Sequence, residues 1–171
     1  MIKYLNIINI LTSFLIYCYG ILLNSIVLKC EVSMYSTNEL KEFFKNDIFA
    51  TKVVGIEILE AKDDYAKCML NISDNHKNAK GIVMGGAIFS LADFTFAVAS
   101  NQHESYYTVS TTSSISYLKP AIGKRLYAET NLLKEGKTVC FYEVKVYNEI
   151  KDIIAKASFS GTHIFKNKEN N

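Results

Sequence analysis

Gly85-Gly86-Ala87-Ile88-Phe89-Ser90-Leu91-Ala92-Asp93-Phe94-Thr95-Phe96-Ala97-Val98-Ala99 holds a single ionisable side chain, Asp93, in an otherwise apolar, alanine-rich run. A helix hydrophobic on nearly every side belongs inside a core. It needs more cover than a flat sheet offers, so the flanking sequence has to supply a sheet that curls around it.

The flanks carry that pattern. Thr37 to Phe44 reads as a short helix capped by Thr37, with leucine and phenylalanine at helical spacing. Thr51 to Glu60 reads as a strand in which Val54, Ile56 and Ile58 alternate. Asp63-Asp64 marks a turn, Tyr65 to Ile72 a partner strand, and Ser73 to Lys80 a polar loop. Beyond the helix, Tyr107 to Tyr117 is rich in β-branched residues, and Pro120 and Gly123 break it. Leu126, Ala128, Thr130 and Leu132 alternate with polar neighbours, Glu135-Gly136 signals a turn, and Val139 to Tyr147 alternates again. Asn148 to Asp152 turns the chain and Ile153 to Ile164 closes it. Hairpin-sized loops imply antiparallel pairing. The expectation is an α+β architecture: two strands, a buried helix, then four strands, with one curved sheet around the helix.

Asp93 shares its helical face with Gly86, Ser90, Ala97 and either Ser100 or Asn101. Two readings of this small, polar stripe stand open: a solvent-facing strip, or a carboxylate lining a cleft as base or nucleophile. Gly85 and Gly86 fall where the helix begins. They either allow a tight turn into it or let a ligand approach the unpaired first-turn N–H groups, which suit an oxyanion. Gly85 and Asp93 are separated by about 12 Å along a helix. One carbonyl needs both a donor and an attacking group near 3 Å or so, which a single helix cannot supply. Two copies packed antiparallel about a two-fold axis can, so the reading predicts a composite site in an obligate dimer at least.

Other features set boundaries. Apolar residues make up 49% of the chain, enough for a core without disulfides, and the net charge of +2 gives no bias toward nucleic acid. Cys18, Cys30, Cys68 and Cys140 form no CxxC pair, and His76, His103 and His163 are far apart in sequence, so spacing predicts no metal site. Cys68 and Cys140 read as reduced core thiols, which suits a cytoplasmic location. Residues 1–33 form a separate hydrophobic extension, and the domain runs from Met34 to Asn171. Residues 7–28 lack charge and, as a helix, would measure about 33 Å, the length of a membrane anchor. They read as such an anchor, as a cleaved signal, or as sequence upstream of a translation start at Met34. The last is the expectation.

Asn78-Ala79-Lys80-Gly81-Ile82-Val83-Met84-Gly85-Gly86, followed by Leu91-Ala92-Asp93, resembles the signature of phenylacetate-degradation-type (PaaI-like) hotdog thioesterases. That pattern has Asn, then His-Gly-Gly, then Asp, and Asn78, Gly85, Gly86 and Asp93 fall in its register. Ser116-Tyr117-Leu118-Lys119-Pro120-Ala121 and the Glu135-Gly136-Lys137-Thr138 turn match as well, and the similarity runs from Leu40 to Ile164. The resemblance implies a hotdog fold, a long central helix wrapped by five or six antiparallel strands, in homodimers that pair into tetramers. It implies hydrolysis of acyl-CoA without a further cofactor, with Asp93 activating water or attacking the thioester. Gly85 would polarise the carbonyl, Asn78 would hold the water or the carbonyl, and Ser110 would assist. Gly86, Met84, Thr112, Tyr117 and the stretch Lys134, Glu135, Gly136, Lys137, Thr138 and Val139 would contact substrate or coenzyme A.

One departure stands out: the family histidine is Met84 here. Methionine cannot donate the hydrogen bond that imidazole supplies. A non-catalytic acyl-CoA- or lipid-binding hotdog protein is therefore the first alternative. A hotdog dehydratase would need a histidine in the central segment, which has none.

Overall fold

The computed structural model describes residues 34–166. The hydrophobic segment 7–28 lies outside the described residues. No helix among the described residues is long and apolar enough to cross a membrane.

The chain opens with helix α1 (Thr37–Phe44), capped by Ser36 rather than Thr37. The Ser36 hydroxyl accepts from the Glu39 N–H, and the Glu39 carboxylate accepts from the Ser36 N–H, a reciprocal capping box. The Thr37 hydroxyl is free to donate to the Ala61 carbonyl at 2.7 Å, which fixes α1 to the first strand. The stretch read as a strand from Thr51 begins instead as a π-helical turn, Phe49–Val54. Ala50 and Val54 are buried and Phe49 and Val53 exposed, a four-residue spacing that suits a helical turn. Gly55, at φ 78°, ends it in a left-handed conformation that favours glycine.

The six strands are β1 (Ile56–Lys62), β2 (Tyr65–Asn71), β3 (Tyr106–Tyr117), β4 (Arg125–Glu135), β5 (Val139–Asn148) and β6 (Ile153–Phe165). They form one antiparallel sheet in the order β1-β2-β4-β5-β6-β3. After the central helix α2 (Gly85–Ser100) the chain crosses to the far edge, so the last-placed strand in space is the third in sequence. Register shifts at Ile58/Glu60, Ser110/Thr112, Leu132/Lys134 and Val146/Tyr147 bend the strands. The sheet thereby wraps α2, which touches all six strands. This is the hotdog fold.

Ile88, Leu91, Phe94, Phe96 and Val98 of α2 are buried against Leu70, Leu126, Tyr142, Val144 and Phe159 of the sheet. Phe96 stacks on Phe159 with centroids 4.9 Å apart and meets Tyr142 edge-on at 5.5 Å. Each such large side chain contributes about 1.5–3 kcal/mol of hydrophobic stabilisation. Gly161 of β6 lies close to both β3 and α2. A Cβ there would stand 2.5 Å from Thr108 Cγ2 and 2.9 Å from Phe96 Cζ. Cys68 and Cys140 are free and buried, as their sequence context implied.

Candidate active site

The loop before α2 is held at both ends. Lys77 and Val83 form an isolated antiparallel bridge. Asn78 donates its N–H to the Ile82 carbonyl, and its Oδ1 accepts from the N–H groups of Lys80 (2.9 Å) and Ile82 (3.2 Å). The Asn78 side-chain oxygen is therefore occupied in shaping the loop. Buried His76 fastens the loop from below. Its Nδ1 accepts from the Ser73 N–H, so Nε2 carries the proton and donates to the Val54 carbonyl at 2.9 Å. The His76 carbonyl accepts from Met84 N–H at 2.7 Å. Sequence reading considered His76 only as a metal ligand. Its anchoring role depends on a partner in the Phe49–Val54 turn, and no local pattern announces it.

Met84 is the N-cap of α2, extended at φ −66° and ψ 138°, and its side chain makes no cap. The N–H groups of Gly85 and Gly86 have no hydrogen-bond partner among the described residues. The helix dipole adds to their attraction for negative charge. Tyr117 lies across the Gly85 backbone. Its hydroxyl donates to the Gly85 carbonyl at 2.9 Å, and a Cβ on Gly85 would come within 3.1 Å of the ring. The half-exposed Met84 side chain folds over Gly86, where a Cβ would meet its methyl at 2.7 Å. A side chain at either glycine would press on these two neighbours, the Tyr117 ring and the end of Met84.

Asp93 lies in the partly open stripe with Gly86, Ser90 and Ala97, whereas Ser100 is buried. Burial, and then the negative charge of Asp47, push its carboxyl above the ordinary aspartate range. Asp47 sits just before the Phe49–Val54 turn, and its Oδ1 accepts from the Ala50 N–H. Its influence on Asp93 escaped the sequence reading because the two are joined only through packing of that turn against α2.

The remaining candidates lie on the strands. Ser110 and Thr112 are exposed on β3 and flank its bulge at Thr111, whose hydroxyl bonds the Ser160 carbonyl. Lys134, Lys137 and Thr138 are exposed, and the Gly136 N–H closes the turn on the Val139 carbonyl at 2.9 Å. Glu135 is partly exposed, accepting from Tyr106 Oη at 3.1 Å and lying 2.8 Å from His163 Nε2. Surface clefts at Glu129–Lys145, Pro120–Asn148 and Lys45–Thr51 include neither Asp93 nor Gly85. Within one chain the two groups sit about 12 Å apart along α2. A carboxylate in a half-open stripe and a row of unpaired amides suit acyl transfer through an oxyanion.

Residues 80–155 match the family model of the Thioesterase superfamily. A protein of Archaeoglobus fulgidus named "Putative esterase" is 37% identical over 115 residues, 67% of this chain and 73% of that one. The acyl-coenzyme A thioesterase PaaI of Escherichia coli is 28% identical over 113 residues, 66% of this chain and 79% of that one. The E. coli PaaI structure superposes with a TM-score of 0.69, covering 75% of this chain and 93% of that chain at 22% identity. A Streptococcus mutans structure bound to acetyl CoA superposes with a TM-score of 0.61, covering 66% and 91% at 27% identity. The chain belongs to the thioesterase superfamily, in its PaaI-like group. It is a thioester hydrolase.

Proposed function

We propose that this protein hydrolyses acyl-CoA thioesters at a site shared by two copies of the chain, with Asp93 as the general base. The observation that carries the reading is the pairing on one helix of unpartnered Gly85 and Gly86 amides with a half-buried carboxylate one further turn-pair along. The CoA thioesterase name of the E. coli relative and the acetyl CoA bound in the S. mutans neighbour support this substrate class.

The edge strand β3 supports a dimer. Tyr106-Tyr107-Thr108-Val109-Ser110-Thr111-Thr112-Ser113-Ser114-Ile115-Ser116-Tyr117 carries no charge. Most of it is exposed, and among the described residues its outer edge pairs with nothing. Long uncharged edges recruit further strands, whereas edges that must stay single carry lysine or proline. Two β3 strands joined about a two-fold axis would make one continuous sheet and set the α2 helices antiparallel. Gly85 of one chain would then face Asp93 of the other.

In the proposed reaction the Asp93 carboxylate takes a proton from water as the oxygen adds to the thioester carbonyl carbon. The oxyanion that forms is held by the partner's Gly85 N–H. Collapse breaks the C–S bond, and the departing thiolate takes the proton from Asp93, leaving a carboxylic acid and free CoA. Asn78 shapes the loop that presents Gly85, and Tyr117 holds the Gly85 peptide from the other side. Ser110 assists from β3, and Thr112 with the Lys134–Val139 turn contacts CoA, the two lysines meeting phosphate. Exposed Ile48 and Phe49 beside Asp47 offer apolar surface to an acyl group.

The test is incubation of the full chain with acyl-CoAs of graded length and an aryl-acetyl-CoA, with release of thiol followed by a chromogenic reagent. Turnover supports the reading. Tight binding of every acyl-CoA with no thiol release would favour a binding protein, the outcome that methionine at position 84 would explain.

A further inference from the structure

A second group of ligating side chains gathers where β4 turns into β5 and where β6 ends. Glu135, Cys140 and His163 each bring one donor atom to within 4.8 Å of the others. Cys140 and His163 are buried, and Glu135 reaches solvent. Their sequence positions share no motif spacing, so three different strands are needed to assemble the group.

Hydrogen bonding fixes the histidine. Thr108 Oγ1 lies 2.8 Å from the Ser100 carbonyl, which can only accept, so the hydroxyl proton goes there. His163 Nδ1, 2.9 Å from the same Oγ1, must then donate to it. When Nδ1 carries the ring's one proton, Nε2 presents a lone pair. That lone pair lies 2.8 Å from Glu135 Oε1, another acceptor, and Nε2 makes no hydrogen bond. The contact is close but misaligned for a proton shared in line. The buried Nε2 atom, the partly exposed Glu135 carboxylate and Cys140 Sγ lie close enough together for one cation to reach all three. Cys140 Sγ has only a weak contact, 3.8 Å to the Gly161 carbonyl.

We propose that Glu135, Cys140 and His163 bind one Zn²⁺ ion, which clips together the ends of β4, β5 and β6. Sulfur, nitrogen and a single carboxylate form a borderline donor set that suits zinc, whereas magnesium and calcium take oxygen. Zinc–donor distances of about 2.0–2.3 Å place tetrahedral ligands roughly 3.4–3.8 Å apart, reachable by side-chain adjustments of about 1 Å. The fourth position goes to water or to Tyr106 Oη, already 3.1 Å from Glu135 Oε1. Thr108 is the outer partner that orients the imidazole. Binding releases the Cys140 thiol proton to solvent.

The experiment uses the full chain without a histidine tag, stripped with a chelator. Zinc is titrated by calorimetry, and cobalt by its thiolate charge-transfer absorption. One ion per chain is expected, with a charge-transfer band that disappears in Cys140→Ser and a melting temperature that zinc raises. Glu135→Gln, at the partly exposed ligand, keeps the fold and is expected to weaken binding roughly tenfold or more. Failure to bind one ion per chain, a band that persists in Cys140→Ser, or unchanged affinity in Glu135→Gln each overturns the proposal.

Discussion

Replacing Asp93 by asparagine separates the chemistry of this protein from its architecture. No described residue donates a hydrogen bond to the carboxylate, and its pKa is governed by burial and by Asp47. The amide is nearly the same shape, so the substitution leaves no partner stranded. Because the folded-state pKa is raised, Asp93 favours folding at low pH and loses that contribution as pH rises through the folded value. At neutral pH the wild-type chain carries a half-buried charge, which asparagine removes. Asp93→Asn is therefore expected to melt no lower than wild type at neutral pH, with a flatter pH dependence of stability. Loss of a general base lowers turnover by about 10²–10⁴-fold, or roughly 2.7–5.5 kcal/mol of transition-state stabilisation. The unpaired Gly85 and Gly86 amides remain, so residual turnover above the water rate is expected. Thiol release on acyl-CoA gives the rate, melting across the acid-to-neutral range gives the stability, and light scattering gives the assembly state. Full activity in the variant would remove Asp93 from the mechanism. A rate loss accompanied by a broken assembly or a large fall in melting temperature would make the residue structural.

Three further outcomes follow from the same geometry. Asp47→Asn removes the secondary cause of the raised Asp93 pKa, so the acid limb of the kcat/KM profile is expected to move to lower pH. An unmoved limb would mean that Asp93 does not feel Asp47. Met84→His places an imidazole at a half-exposed N-cap and is expected to preserve or raise turnover, with stability changed by no more than about 0.5 kcal/mol. A large loss would assign Met84 its own packing role over Gly86. Gly161→Ala drives a methyl into Thr108 and Phe96 and is expected to cost about 1–3 kcal/mol in urea denaturation. A neutral result would mean that α2 and β6 have room to separate.

The sequence alone determined the large elements. The apolar run around Asp93 could only be a buried helix, and the alternation in Leu126–Leu132 and Val139–Tyr147 could only be half-buried strands. Those are periodic signals, repeated over many residues and set by local geometry. The Asn78, Gly85, Gly86 and Asp93 register was legible only through the family resemblance, whose spacing lies within one loop and one helix. The Thr51–Val54 part of the Phe49–Val54 turn was misread as strand because buried Val54 merges with the Ile56 and Ile58 alternation that follows, and only Gly55 separates them. Tertiary structure decided the rest. It placed β3 at the far edge beside β6, set Asp47 against Asp93, spent the Asn78 oxygen on its own loop, hung the loop from His76, and turned Glu135 toward His163. Each of these joins residues distant along the chain, and their contact is settled by how the curved sheet closes on its helix, which no local spacing encodes.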